Sequence, residues 1–150
     1  MITLTREQMD RLMDEHFAAE ARDDVEGAVS TLTEDVIHDM VGNPTGPMHG
    51  RKAVRPFYAQ LFANVKGEDA TPLCRRYGEN FAIDEVLWSG RAVGRPFGLE
   101  GQGRPISFRV LHVFEFRDGL ISREQVWMDF ATLQAQLAEV PNTSSAVRAQ

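Results

Sequence analysis

The chain has 150 residues, a net charge of −6 and 43% hydrophobic residues, values that fit one globular domain with a sizeable core. No basic run is longer than Arg75-Arg76, which argues against nucleic acid and anionic membrane as partners. A single cysteine, Cys74, rules out an internal disulfide, and neither a long apolar run nor an apolar stretch in MITLTREQMD is present, so a soluble cytoplasmic protein is expected.

Thr5 with Gln8 forms a capping-box pattern that opens a helix. Met9, Leu12, Met13, His16 and Phe17 follow on one stripe, which places His16 at the edge of a core or in a pocket. Asp23-Asp24 caps a second helix over residues 25–32. Residues 36–42 read as a strand, with Ile37, Asp39 and Val41 on one face and Val36, His38 and Met40 on the other. An aspartate is disfavoured in a strand. Asp39 is therefore either solvated on an edge or a carboxylate aimed into an apolar cavity, where desolvation would make it a better base.

A Pro/Gly-rich loop over 43–50 leads to a helix over 52–65, with a break expected at Pro56. Phe57, Leu61 and Phe62 should face the core beside Tyr58, whose hydroxyl needs a partner if buried. Residues 66–71 read as a polar loop, 72–77 and 81–92 as strands joined near Gly78-Glu79-Asn80, and 95–105 as a loop able to act as a flap.

A long hairpin over 106–129 follows, and the rest of the chain is organised around it. On its first arm Ile106, Phe108, Val110, His112, Phe114 and Phe116 share a face at period two. The lone imidazole there is either a satisfied core histidine or a catalytic group in an apolar pocket. A two-residue Asp118-Gly119 turn would set Trp127 and Asp129 beside His112. A three-residue turn from Arg117 would set Glu124, Val126 and Met128 there instead, because a one-residue slip flips every side chain. Asp129 also suits the N-cap of a closing helix over 130–139. Trp88 and Trp127 read as core or interface aromatics, and residues 141–150 as a disordered tail after a domain over 1–140. Helices on one face of a strongly curved antiparallel sheet give an α+β cone with an apolar pocket inside.

The runs HFAAEARDDVEGAVSTLTEDVIHDMVG from His16, GRKAVRPFY from Gly50, VLHVFEFRDGLI from Val110 and VWMDF from Val126 together resemble the nuclear transport factor 2-like superfamily, in its SnoaL-like and ketosteroid-isomerase-like branch. The resemblance implies a homodimeric cone that binds a small apolar molecule without metal or other cofactor. By similarity to ketosteroid isomerases, Asp39 falls at the general base. His112 and His16 fall where an aspartic acid and a tyrosine donate to the substrate oxyanion, and Tyr58 falls at a supporting tyrosine. SnoaL-type cyclases are similar in the first-arm histidine but carry an aspartate where this chain has Val126, and the Arg-x-Asp pair of limonene-epoxide hydrolases falls on Ala82 and Asp84. Scytalone-type dehydratases combine histidines with an aspartate in such a cone.

The resemblance also favours the register that turns Glu124 inward. The expected chemistry is proton abstraction next to a carbonyl by Asp39, serving isomerisation, dehydration or cyclisation. Phe17, Val41, Phe57, Val110, Phe114, Val126 and Met128 would wall the pocket. The rivals are a non-catalytic binder of an apolar ligand and a protein-interaction module.

Overall fold

The computed structural model describes residues 2–138, so the expected tail lies outside the described residues. Helix α1 (Arg6–Ala21) opens with the full capping box: the Gln8 amide donates to Thr5 Oγ1 at 3.3 Å, and the Thr5 amide to Gln8 Oε1 at 2.8 Å. Helix α2 (Val25–Ser30) is capped by Asp24, which accepts from the Gly27 amide at 2.9 Å. It ends two residues before the expected end.

Strand β1 (Leu32–Met40), the two-residue β2 (Met48–His49) and helix α3 (Arg51–Asn64) follow. The helix runs through Pro56 without the expected break. Pro56 and Lys52 are both exposed, so the carbonyl that lacks its usual donor is free to meet solvent. Val54, Tyr58 and Phe62 form its buried stripe.

Strand β3 (Val65–Gly78) includes the stretch expected to be a loop. It is an edge strand paired only with β4 (Phe81–Ala92), so its polar side chains stand in solvent without penalty, and Pro72 sits at a register shift. After a single 3₁₀ turn at Pro96–Gly98 come β5 (Arg104–Arg117), β6 (Leu120–Met128) and α4 (Phe130–Leu137). Asp129 takes the N-cap role, accepting from the Thr132 amide at 3.1 Å. Trp88 packs on Phe108, while Trp127 is exposed. Among the described residues no helix is long and apolar enough to cross a membrane.

The sheet order is β2-β1-β6-β5-β4-β3, the α+β cone architecture expected from the sequence. One pairing departs from an all-antiparallel sheet: β1 runs parallel to β6, because the chain passes through β2, α3 and three further strands before it returns.

The β5–β6 hairpin resolves the register question in a way neither alternative anticipated. The turn is the two-residue one, Asp118 (φ 53°) and Gly119 (φ 76°), with Arg117 opposite Leu120. A bulge at Ser122 then inserts one residue, so Glu115 faces Arg123 and His112 faces Val126. The short turn thus ends in the register expected of the longer one.

The buried apolar side chains form two clusters. One joins α1, α2 and α3 to Val36, Ala82, Phe114 and Ile121. The other joins Val110, Val126, Leu133 and Leu137, with Met40 and Val86 packed against it. Where the clusters meet, four of the strands each carry a buried polar residue: His38 between Val36 and Met40, Asp84 between Ala82 and Val86, His112 between Phe114 and Val110, and Glu124 between Ile121 and Val126. A polar belt therefore crosses an otherwise apolar interior.

Candidate active site

Glu124 is the centre of the belt. The β1–β6 register places it beside His38 and the β5–β6 register beside Phe114, next to His112. Its Oε2 accepts a hydrogen bond from the Tyr58 hydroxyl at 2.7 Å and lies 3.3 Å from His16 Nε2 and 3.5 Å from His38 Nε2. Its Oε1 faces His112 Nε2 at 4.0 Å. Imidazoles from α1, β1 and β5 and a phenol from α3 thus converge on one carboxylate that is only 1% exposed.

A buried carboxylate is costly unless its charge is matched. Burial opposes ionisation of Glu124, but attraction to His16 and His38, the hydrogen bond from His16 and the proximity of His112 outweigh it and hold its pKa well below the usual carboxylate range. Burial likewise opposes protonation of His16, but Glu124 and the neighbouring Glu20 lift its pKa to about 10. His16 and Glu124 therefore form a buried ion pair near neutral pH.

The orientation of His16 is fixed from behind. Thr31 Oγ1 donates to the Ala28 carbonyl at 2.7 Å, so it accepts from His16 Nδ1–H, also at 2.7 Å. Nε2 is thereby turned to Glu124 and to Glu20, 3.4 Å away. With both nitrogens engaged, His16 has no N–H left for a ligand, which removes the oxyanion-donor role expected of it. Tyr58 lies 3.2 Å from His16 Nε2 but donates to Glu124, and its pKa is raised by burial and by the Glu124 and Glu20 charges.

His112 differs from His16. Burial pushes its pKa down, only partly opposed by Glu124, Glu20 and Asp84, so it is a neutral imidazole at neutral pH. It stacks on Phe114 with ring centres 5.5 Å apart and meets the edge of Phe17 at 5.1 Å. Its Nδ1 is buried without a hydrogen-bond partner, and so is Nδ1 of His38, which packs on Phe57 at 4.8 Å.

The structure does not bring Asp39 to this site. It pairs with Gln125 in the parallel register and accepts from Gln125 Nε2 at 3.0 Å, with Arg123 3.5 Å away. Glu124 points inward, so its neighbour Gln125, and Asp39 with it, point outward. The expectation of Asp39 as a base in the cavity is corrected accordingly, because His38 holds the inward position on β1. Val41 lies past the end of β1 and is 39% exposed, so it is not a pocket wall. Phe17, Phe57, Val110, Phe114, Val126 and Met128 do lie on or against the two interior clusters.

Three participants escaped sequence reasoning. His38 shared a face with Val36 and Met40, the more apolar set, and that was its signal. Glu20 sits four residues after His16 on the same helix, a spacing that brings side chains together. Thr31 had no signal beyond its place after α2. His16 Nε2, Glu20 Oε1 and Glu124 Oε2 lie within 4.8 Å of one another, the set among the described residues able to hold a metal ion, and only if His16 releases its proton.

The fold is shared by solved structures. TsrD from Streptomyces laurentii is 25% identical, covering 91% of this chain and 99% of its own, with a TM-score of 0.76. A candidate polyketide cyclase from Xanthomonas campestris is 22% identical over 89% of this chain and 98% of its own, with a TM-score of 0.76. A protein with a ketosteroid isomerase-like fold from Catenulispora acidiphila, solved with trimethylamine, is 16% identical over 84% of this chain and 91% of its own, with a TM-score of 0.68. No curated protein matches the chain. The family model of the SnoaL-like domain matches residues 13–124, a span that includes every member of the buried cluster, and the chain belongs to that family.

Proposed function

We propose that this SnoaL-like protein is a cofactor-independent enzyme that enolises a small, mainly apolar carbonyl compound, with His112 in place of Asp39 as the proton acceptor. The observation that carries this reading is the pairing of His112 with Glu124: a neutral, buried imidazole turns Nε2 toward an ionised carboxylate and leaves Nδ1 without a protein partner. A hydrogen on Nε2 is favoured by that carboxylate, so the lone pair sits on Nδ1. This is the base-and-orienter arrangement, with Glu124 held on its other oxygen by Tyr58 and His16.

In the proposed step Nδ1 takes a proton from the carbon next to the carbonyl. The C–H electron pair becomes the enolate double bond, and the carbonyl pair moves to oxygen. The imidazolium formed at His112 is stabilised by Glu124, and return of the proton to a different carbon completes an isomerisation. The aromatic rings of Phe17, Phe57 and Phe114 keep water from these groups. Exchange of substrate α-protons in D2O, abolished by His112→Asn, tests the reading.

Non-catalytic binding is the second reading, favoured by the complete internal pairing of His16. It predicts ligand affinity with no exchange in the wild type.

A further inference from the structure

The belt holds one buried acceptor that the proposed reaction does not use. Asp84 lies on β4 directly opposite His112 on β5 and is 2% exposed. Its Oδ1 accepts from Arg75 Nε at 2.7 Å, while its Oδ2 is buried with no partner. A buried acceptor without a donor is costly. The Nδ1 of His112, likewise buried without a protein partner, belongs to its cross-strand neighbour. Directly opposed residues carry Cβ atoms about 5 Å apart, so one small molecule can reach both.

Asp84 lines an open depression of about 470 Å³ between α1 and β3, whose walls include Asp10, Asp14, Arg75 and Tyr77. Asp10, Asp14 and Phe17 follow one another at helical spacing along one edge of α1, and Phe17 is the residue that touches His112. The depression borders α1 on the side of Asp10 and Asp14. Its carboxylates, Asp10, Asp14 and Asp84, outnumber the one guanidinium of Arg75, so an anionic ligand is repelled. Arg75 already occupies the cation position beside Asp84, with bonds to Asp10 at 2.8 Å and Asp14 at 3.1 Å, so a second cation there meets like charge.

We infer that Asp84 is a substrate-recognition residue. Its Oδ2 accepts a hydrogen bond from a hydroxyl of the substrate while the acidic C–H is turned to His112, so the substrate is an uncharged hydroxy ketone and not a carboxylate or phosphate ester. This rests on the proposed role of His112, but it is read by binding alone. A site built to pair a substrate hydroxyl discriminates strongly against the analogue that lacks it, because its own buried group is then left unpaired.

The test is an NMR titration of the wild-type protein with acetophenone, with its ortho-, meta- and para-hydroxy derivatives, and with their methyl ethers, following α-proton exchange in parallel. At least one hydroxy isomer should bind about tenfold or more tighter than acetophenone and than its own ether, and Asp84→Asn should remove most of that preference. Equal binding of hydroxy, ether and parent compounds to the wild type overturns the inference without recourse to any variant. So does a preference kept in Asp84→Asn, or no binding of any hydroxy isomer. A hydroxyl preference without proton exchange would uphold Asp84 and sink the enolisation reading, so the two fail separately.

Discussion

Tyr58 and Glu124, 66 positions apart in the chain, meet in the interior through a 2.7 Å hydrogen bond from the phenol to the carboxylate, and His16 closes the group from α1 at 3.3 Å. Removing one member of a buried ion pair leaves the other charge unmatched, which typically costs about 3–5 kcal/mol. Glu124→Gln should therefore lower the free energy of urea unfolding by that amount while keeping side-chain volume. A loss below about 1 kcal/mol would mean that the pair does not hold the charges assigned to it.

The same pair sets a pH response with two limits. His16 has a folded pKa near 10 against an ordinary 6.5, so the stability it contributes is complete below pH 6.5 and is lost as pH rises toward about 10. Glu124 has a folded pKa depressed below the ordinary 4.5, so its contribution is present above pH 4.5 and is lost as pH falls further. His112, lowered from 6.5 mainly by burial, adds a loss below pH 6.5 because it must remain neutral in the fold. Unfolding midpoints measured from pH 4 to pH 10 should peak near neutrality, and His16→Gln should flatten the alkaline side. An alkaline limb of unchanged slope in that variant would contradict the assignment.

The Ser122 bulge makes an unusual prediction for a strand interior. Ile121 and Glu124 are both buried although they lie three positions apart, because Ser122 is the extra residue. Deleting Ser122 restores plain alternation and keeps both facing inward, so the protein should still fold, at a cost of no more than about 2 kcal/mol. Deleting Gln125 instead turns Val126 and Met128 outward and should abolish cooperative unfolding. Thermal melts of the two variants separate these outcomes, and equal damage from both would refute the register argument.

Much of this architecture was legible in the residues, and the failures are local. Capping at Thr5, Asp24 and Asp129 and the period-two runs mark helices and strands through short-range physics. The inward face of β1 was not legible in that way. Alternation separates His38 from Asp39 but does not say which face packs, and the β6 register, made by a strand more than eighty residues later, decides it. The hairpin misled for a related reason: the inward register of Glu124 was expected from a three-residue turn, whereas the two-residue Asp118-Gly119 turn reaches it through a bulge that has no signature stronger than a serine. Asp84 was placed by resemblance alone, and its burial between Ala82 and Val86 of different apolar clusters is set by the fold.

The most direct test of the account is α-proton exchange in D2O with a panel of small cyclic and aryl ketones, comparing the wild type with His112→Asn and Asp39→Asn. Asp39 lies on the outer face, tied to Gln125 and Arg123, so its variant should exchange within about twofold of wild type and lose no more than about 1 kcal/mol of stability. His112→Asn should fall to the uncatalysed rate, a loss of about a hundredfold or more. Exchange that survives in His112→Asn and vanishes in Asp39→Asn would contradict the account and return the base to the outer strand face.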